Sequence, residues 1–314
     1  MCGIAGFVND MPIDVKCPVL QRMTDMIAHR GPDSEGHYID EHAALGHRRL
    51  SIIDLGGGQQ PIYNEDGSKV ITFNGEIYNY QTLREELIAA GHTFTTKSDT
   101  EVLLHGYEQW GVDLLQRVRG MFTFVIWDKN KQELFGARDH FGIKPFYYAK
   151  MNGTFMYASE IKSLLRHPDF VKELNAEALK PYMTFQYPAI GETFFKGVYK
   201  LPEGHYFTYR DGKMDIHRYY DEDFREGKQK LGELVNSIDQ TVCDSVKAHQ
   251  IADVEVGSFL SSGVDSSYVA AVARPQHTYS IGFGKGTYNE SQQAGELAEL
   301  LKLNNTAESL TDEE

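Results

Sequence analysis

The sequence is poor in cysteine. It has three in 314 residues, Cys2, Cys17 and Cys243, and no C-x-x-C pair. An odd count without paired spacing argues against a disulfide framework or a cysteine-based structural zinc site. The chain lacks any run of ~18 apolar residues, so no membrane-spanning helix is expected. It also lacks a basic segment leading into an apolar one, so the N-terminus does not read as a secretory signal. Excess positive charge is missing too: 31 Lys and Arg stand against 45 Asp and Glu, a formal charge of -14. Nucleic-acid backbones and anionic membranes need clustered Lys and Arg, so neither is an expected partner. A local basic pocket for a small phosphate compound is still allowed. The twelve histidines show no H-E-x-x-H or related spacing, and no histidine-based metal site is assigned. These absences leave a globular protein with reduced thiols, for which a cytoplasmic location is expected.

Hydrophobic residues at 41% and charged residues at 24% fit that class. The length suggests one large or two ordinary domains. Residues 1–220 read as strand-rich with a few helices. Val19, Leu20, Met23, Met26 and Ile27 recur at helical spacing. Gln81 to Ala90 forms a second helical stretch stopped by Gly91. Ser98 and Glu101 have the spacing of a capping box before a third. Strands are expected over Lys69–Phe73, Met121–Trp127, Phe146–Ala149 and Thr154–Ala158. A hairpin is expected across Asp211-Gly212, between His205–Tyr209 and Met214–Tyr219. Residues 221–230 are charged and aperiodic and read as a linker. From 231 to 314 a helix carrying Leu231, Leu234, Ile238 and Val242 leads into strand, Gly/Ser loop and helix. A second strand follows at His277–Phe283. This is the start of an alternating α/β domain, with two convincing strands and no evident closing element in the final "SLTDEE".

Cys2 directly follows Met1. Removal of Met1 would leave a thiol (pKa ~8.5) and its own α-amine (~7.7–8.0) in one residue, so a proton passes between them at little cost. This is the N-terminal version of a base-activated nucleophile. The plain alternative is an ordinary buried cysteine in an edge strand. A thiol that transfers acyl groups needs donors for an oxyanion. Asn74 and Gly75 in "FNGEIYNY", at the end of a strand, offer an amide and a backbone N–H, although Asn-Gly is also a common hairpin turn. Arg49 in "GHRRLSIID" can pair with a carboxylate, and Glu76 or Asp99 with an ammonium. Singly, Arg49 reads equally as a surface charge and Asp99 as a carboxylate favouring a helix start.

Together these residues sit in an ordered motif set: "CGIAGF", "HRGPDSEG", "GHRRLSIID", "QQPIYNEDG", "FNGEIYNY", "SDTEVLL", "GMFTFVIWD", "ARDHFGIKPFYY" and "ASEIKSLL". The set closely resembles the glutaminase domain of class II glutamine amidotransferases and, within them, the asparagine synthetases. The resemblance implies an α+β N-terminal-nucleophile αββα sandwich. It implies Cys2 as nucleophile with its α-amine as base, and Asn74 and Gly75 as oxyanion hole. Arg49 with Leu50, Ser51, Ile52 and Ile53 would hold the glutamine carboxylate and backbone, and Glu76 and Asp99 its ammonium. Cys17 and Cys243 match no catalytic position, and His29 and His47 are expected to be structural.

"FLSSGVDSS" resembles the S-G-G-x-D-S loop of the ATP pyrophosphatases, with a helix expected from Ser266. Ser261, Gly263, Asp265, Ser266 and Ser267 match, while Ser262 stands where Gly is usual. Leu260 and Ile281 match positions that contact the nucleotide. The implied second domain is the start of an α/β adenine-nucleotide (ATP pyrophosphatase) domain. Its implied substrates are glutamine, aspartate and ATP, with Mg2+ accompanying the phosphates and β-aspartyl-AMP as intermediate. Relatives of this kind are often dimers, so a homodimer is among the expected assemblies. "YNESQQAGELAELL" also resembles the family, whereas its later S-G-E/D-G-x-D-E type motif is absent from these 314 residues. The chain thus resembles a fragment. Alternatives are a glutaminase-only enzyme, an amidotransferase with another acceptor, and a non-catalytic glutamine-binding module.

Overall fold

The computed structural model describes residues 1–187, 190–225, 227–283 and 290–310. The chain divides into two compact units, Met1–Asp223 and Phe224–Glu314.

In the first unit, β1 (Gly3–Val8) leads into α1 (Ile13–Asp25), then β2 (Ser34–Ile39), β3 (Ala43–Arg49), β4 (Ile62–Tyr63) and β5 (Lys69–Ile77). Two helices follow, α2 (Tyr80–Ala89) and α3 (Asp99–Trp110). Next come β6 (Gly120–Asp128), β7 (Glu133–Arg138), β8 (Tyr147–Met151), β9 (Thr154–Ala158), α4 (Ile161–Leu164) and α5 (Leu179–Phe185). The unit closes with β10 (Val198–Lys200), β11 (His205–Arg210) and β12 (Lys213–Arg218). The strands form two antiparallel sheets of six, ordered β10-β8-β9-β1-β3-β2 and β12-β11-β7-β6-β5-β4. β1 lies inside its sheet, between β3 and β9. The edge-strand reading of the N-terminus is therefore corrected.

Period-2 geometry explains how one strand serves two interfaces. Ile4 joins Val70, Val125, Trp127, Phe155 and Tyr157 in the core between the sheets. Ala5 and Phe7 point the other way, onto Val19, Leu20 and Met23 of α1. Helices α2 and α3 cover the second sheet with buried Leu83, Leu87, Val102, Leu103 and Leu104. The result is four layers, α-β-β-α, as the resemblance implied. The inner strands β1, β6, β7 and β9 are buried on both faces and so lack a clean apolar–polar alternation, whereas edge strands such as β2 and β12 stay partly or largely exposed.

Two local expectations are revised. Asn74 and Gly75 lie inside β5, which runs on to Ile77 opposite β6, so they are neither a turn nor a strand end. Ser98 does cap α3, but it accepts from the Thr100 N–H. Glu101 turns away to accept the amide protons of Thr95 (2.7 Å) and Thr96 (2.7 Å), so the reciprocal box does not form. The Asp211-Gly212 hairpin does form, with both residues at positive φ (51° and 73°).

The second unit contains α6 (Leu231–Ala248), β13 (Ser258–Phe259), α7 (Val264–Ala273), β14 (His277–Phe283), α8 (Ser291–Leu301) and β15 (Asn304–Leu310). Its three strands are parallel, ordered β13-β14-β15. β15 is a third strand that the sequence reading missed. Its Asn-Asn-Thr-Ala-Glu-Ser-Leu is mostly polar and exposed, and Ser309 and Leu310 of the supposed tail end it. α7 begins at Val264 rather than Ser266, because Gly263 takes the N-cap position. Tyr288 and Asn289 of "YNESQQAGELAELL" and Thr311–Glu314 lie outside the described residues. The small core holds Leu260, Ala270, Ala294 and Ala298. Leu231, Leu234 and Ile238 on α6 are exposed.

Candidate active site

The site is assembled where β1 begins. Cys2 is half-buried, one residue before the first ladder pair, Gly3 with Arg48. Arg30 Nε donates to the Cys2 carbonyl at 2.9 Å and ties it down. The Cys2 sulfur faces the backbone of Leu50, with the amide donating to Sγ at 3.4 Å and Sγ lying 3.5 Å from the carbonyl. Burial pushes the thiol pKa up, and the Leu50 hydrogen bond opposes this. The terminal amine, here carried by Met1, is pushed down by burial. Lys144 is buried nearby with its Nζ 3.1 Å from the Met1 sulfur, and burial pushes its pKa down.

The Cys2 side chain opens into a cleft also lined by Arg49, Leu50, Ile52, Ile53, Gly75, Glu76 and Asp99. Arg49 is not a surface charge. Only 5% of it is exposed, and Nη2 donates to the carbonyls of Ile53 (3.0 Å) and Asp54 (2.7 Å) while Nη1 reaches Leu55 O (3.4 Å). These bonds curl residues 53–55 around the guanidinium. A Cβ on Gly58 would come within 2.6 Å of Arg49 Nη2, so a side chain there would push on the guanidinium. Ser51 and Asn74 are the two expected site residues outside the lining; the Ser51 amide donates to Asp33 at 2.8 Å and fixes the loop.

Gly75 is forced by close approach of β6. A Cβ there would lie 2.1 Å from the Met121 carbonyl and 2.7 Å from Phe122 Cα. Its neighbour Asn74 is buried, and neither amide atom has a partner among the described residues. A buried, unpartnered amide is rare, and a catalytic role is one explanation for it. Glu76 Oε2 is likewise buried and unpartnered. Glu76 and Asp99 line the same cleft. Burial first, then for Glu76 the charge of Asp99, raises both above the ordinary carboxylate range. Asp99 Oδ2 accepts from the Ile77 amide at 2.9 Å, which locks it in place. One guanidinium and two carboxyls in a single cleft complement an amino-acid zwitterion.

Several residues escaped the sequence reading. Gln60 accepts from Phe73 N (2.6 Å) and donates to Thr100 Oγ1 (3.2 Å), bracing the cleft wall. Ser98 and Thr100 line the cleft beside Asp99. All three lay in the quoted stretches "QQPIYNEDG" and "SDTEVLL", where nothing distinguished them as lining residues. His47 is buried, hydrogen-bonded to Phe73 O at 3.0 Å and pushed down to about 3 by burial. His29 pairs with Glu160 at 2.9 Å. Cys17 and Cys243 are free thiols outside the cleft lining.

In the second unit the loop before α7 is closed by its own hydroxyls. Ser261 and Ser266 Oγ are 2.8 Å apart, Gly263 N donates to Ser261 Oγ at 3.1 Å, and Ser267 Oγ donates to Gly263 O at 2.7 Å. Asp265 sits exposed in the first helical turn. Leu260 is buried and Ile281 is half exposed (51%) on β14. No helix among the described residues is long and apolar enough to cross a membrane.

Four αββα layers with a thiol at residue 2, just ahead of the first strand, define the class: an N-terminal-nucleophile amidotransferase of class II. The chain belongs to the glutamine amidotransferase family, whose glutamine amidotransferase domain model matches residues 1–220. The model of asparagine synthase matches residues 237–314. Among curated proteins, asparagine synthetase [glutamine-hydrolyzing] 1 of Bacillus subtilis is 43% identical over all of this chain and 51% of its own length. Asparagine synthetase [glutamine-hydrolyzing] 3 of the same organism is 36% identical over 90% of this chain and 48% of its own length. The chain thus spans about half the length of these relatives. Among solved structures, the B. subtilis glutamine phosphoribosylpyrophosphate amidotransferase complexed with ADP and GMP covers 98% of this chain and 65% of its own. Its TM-score is 0.53 at 16% identity, a likeness of fold.

Proposed function

We propose that this chain carries the glutaminase unit, and the beginning of the synthetase unit, of a glutamine-hydrolysing asparagine synthetase. We take residues 1–220 as the glutaminase, 221–230 as the connection and 231–314 as the start of the nucleotide-binding part. One observation carries the reading. The Cys2 sulfur is bracketed by the Leu50 backbone in the cleft that also holds Arg49, Glu76 and Asp99.

Loss of Met1 places a free amine on Cys2, and the thiol proton moves to it. The glutamine carboxylate pairs with the Arg49 guanidinium, whose Nε–H makes no bond to the described residues. Its ammonium faces the Glu76–Asp99 pair, whose carboxyls burial pushes up. The sulfur attacks the γ-carboxamide carbon, and the oxyanion takes the Asn74 Nδ2–H and Gly75 N–H. The C–N bond breaks, ammonia leaves with the amine's proton, and water hydrolyses the thioester to glutamate.

In the second unit the S-S-G-V-D-S-S loop and the N-terminus of α7 suit nucleotide phosphates. Magnesium fits the donors there: Asp265 supplies one carboxylate, and Mg2+ is usually bound by one or two carboxylates plus substrate phosphates. The acceptor is proposed as aspartate, activated with ATP. Three free thiols fit a cytoplasmic setting.

Cys2→Ala tests the glutaminase reading. Ammonia release from glutamine is expected to fall at least ~10³-fold, and the native chain is expected to begin at Cys2 by intact mass. Full activity in the variant, or turnover by a chain retaining Met1, refutes it. Asparagine, AMP and pyrophosphate formed from aspartate, ATP and glutamine test the synthetase reading.

A further inference from the structure

A second constellation lies on the outer helical side of the first unit. Glu65 stands in the turn between β4 and β5, His92 in the connection from α2 to α3, and His105 and Glu108 one turn apart on α3. Each offers one ligand atom, and the four atoms lie within 4.8 Å of one another. Glu65 Oε1 is 3.2 Å from His92 Nδ1 and Glu65 Oε2 is 3.4 Å from His105 Nδ1. His105 Nδ1 is in turn 3.1 Å from Glu108 Oε2. Zinc bonds of 2.0–2.2 Å to nitrogen and carboxylate oxygen place tetrahedral ligands about 3.3–3.6 Å apart. The side chains already stand near that spacing. The exposed Glu65 arm has room to close the longer gaps.

The surrounding groups also suit a metal. His105 Nε2 faces Glu101 Oε1 at 3.4 Å, and His92 Nε2 faces Gln109 Oε1 at 3.2 Å. Each ring thus has an oxygen acceptor behind it, which places the second proton on Nε2 and the lone pair of Nδ1 toward the centre. Glu108 Oε1 is held by Asn64 Nδ2 at 2.7 Å, leaving Oε2 inward. Lone pairs facing carboxylate oxygens at 3.1–3.4 Å require a cation between them, either a proton on each ring or one shared metal. We propose that Glu65, His92, His105 and Glu108 bind a divalent zinc ion, which staples the β4–β5 turn and the α2–α3 connection to α3. No sequence spacing points here, because the ligands come from three separate segments. The site stands apart from the Cys2 cleft and does not rest on the amidotransferase reading.

The test uses the full chain, stripped with a chelator, given zinc chloride, desalted and analysed for metal. One zinc per chain is expected, retained by Cys2→Ala and lost, with at least ~10-fold weaker binding, in His92→Ala and Glu108→Gln. Cobalt in the native chain is expected to give tetrahedral visible bands without a thiolate charge-transfer band. This reading holds even if a variant fails to fold. A folded native chain that retains no zinc, binding that survives both substitutions, or a cobalt–thiolate band overturns the proposal and leaves an ion-pair cluster.

Discussion

Substituting Gly75 by alanine tests the close approach of β5 and β6 and the proposed oxyanion donor together. The new methyl would sit 2.1 Å from the Met121 carbonyl, about 1.3 Å short of the 3.4 Å where ordinary contact begins. The obstruction is backbone in the neighbouring strand, with Phe122 Cα at 2.7 Å, so no flexible side chain can give way. The strands must separate by roughly that distance. Overpacking of this kind costs about 1–3 kcal/mol. For a unit of this size that lowers the melting temperature by about 2–12 °C. The Gly75 N–H and its neighbour Asn74 shift with the strand, and a misplacement of ~1 Å costs about 10²-fold in turnover. Urea or thermal unfolding reads the first effect, and kcat/KM for ammonia release from glutamine reads the second. Gly56→Ala is the control: a Cβ there meets nothing within 4 Å, and stability is expected within ~0.5 kcal/mol. If Gly75→Ala loses stability yet keeps kcat/KM within twofold, the donor role is wrong. If neither changes, the packing argument fails as well.

Arg49→Lys removes the planar fork that serves the Ile53 and Asp54 carbonyls from one nitrogen. KM for glutamine is expected to rise ~10–100-fold while alkylation of Cys2 keeps its rate; an unchanged KM refutes the carboxylate role. Glu76 and Asp99 hold protons more tightly folded than unfolded, so their contribution to stability falls as pH rises from the ordinary carboxylate range of ~4 toward neutrality. Glu76→Gln is therefore expected to gain on the native chain in urea midpoint as pH increases, and a gap that narrows contradicts the shift. Chains retaining Met1 are expected to alkylate at Cys2 more slowly near pH 7 than at exposed Cys17, because burial keeps the thiol protonated; peptide mass mapping with iodoacetamide decides.

Much of the site was legible because its chemistry is carried by residue types in ordered motifs. Cys2, Arg49, Glu76 and Asp99 do line one cleft. What the sequence could not show was geometry set from across the fold. Asn74-Gly75 has the local chemistry of a turn, yet pairing with β6 holds it extended. Ser98 and Glu101 have capping-box spacing, but the Thr95 and Thr96 amides compete successfully for the carboxylate. β15 was missed because its exposed polar residues carry no apolar alternation. Gln60 and Lys144 act only through neighbours distant in sequence. The Glu65, His92, His105 and Glu108 cluster is invisible for the same reason.

The interior position of β1 has a practical side. Chain ends usually fray, but this one is clamped by a ladder with β3 that starts one residue beyond Cys2 and a ladder with β9 that starts at Ala5. On the proposed mechanism an affinity tag fused ahead of Cys2 would silence the chemistry, so labels belong elsewhere on the chain. A terminus unmasked to an N-terminal cysteine is also a 1,2-aminothiol. It captures aldehydes and thioesters selectively, and so gives a direct count of the molecules that have matured.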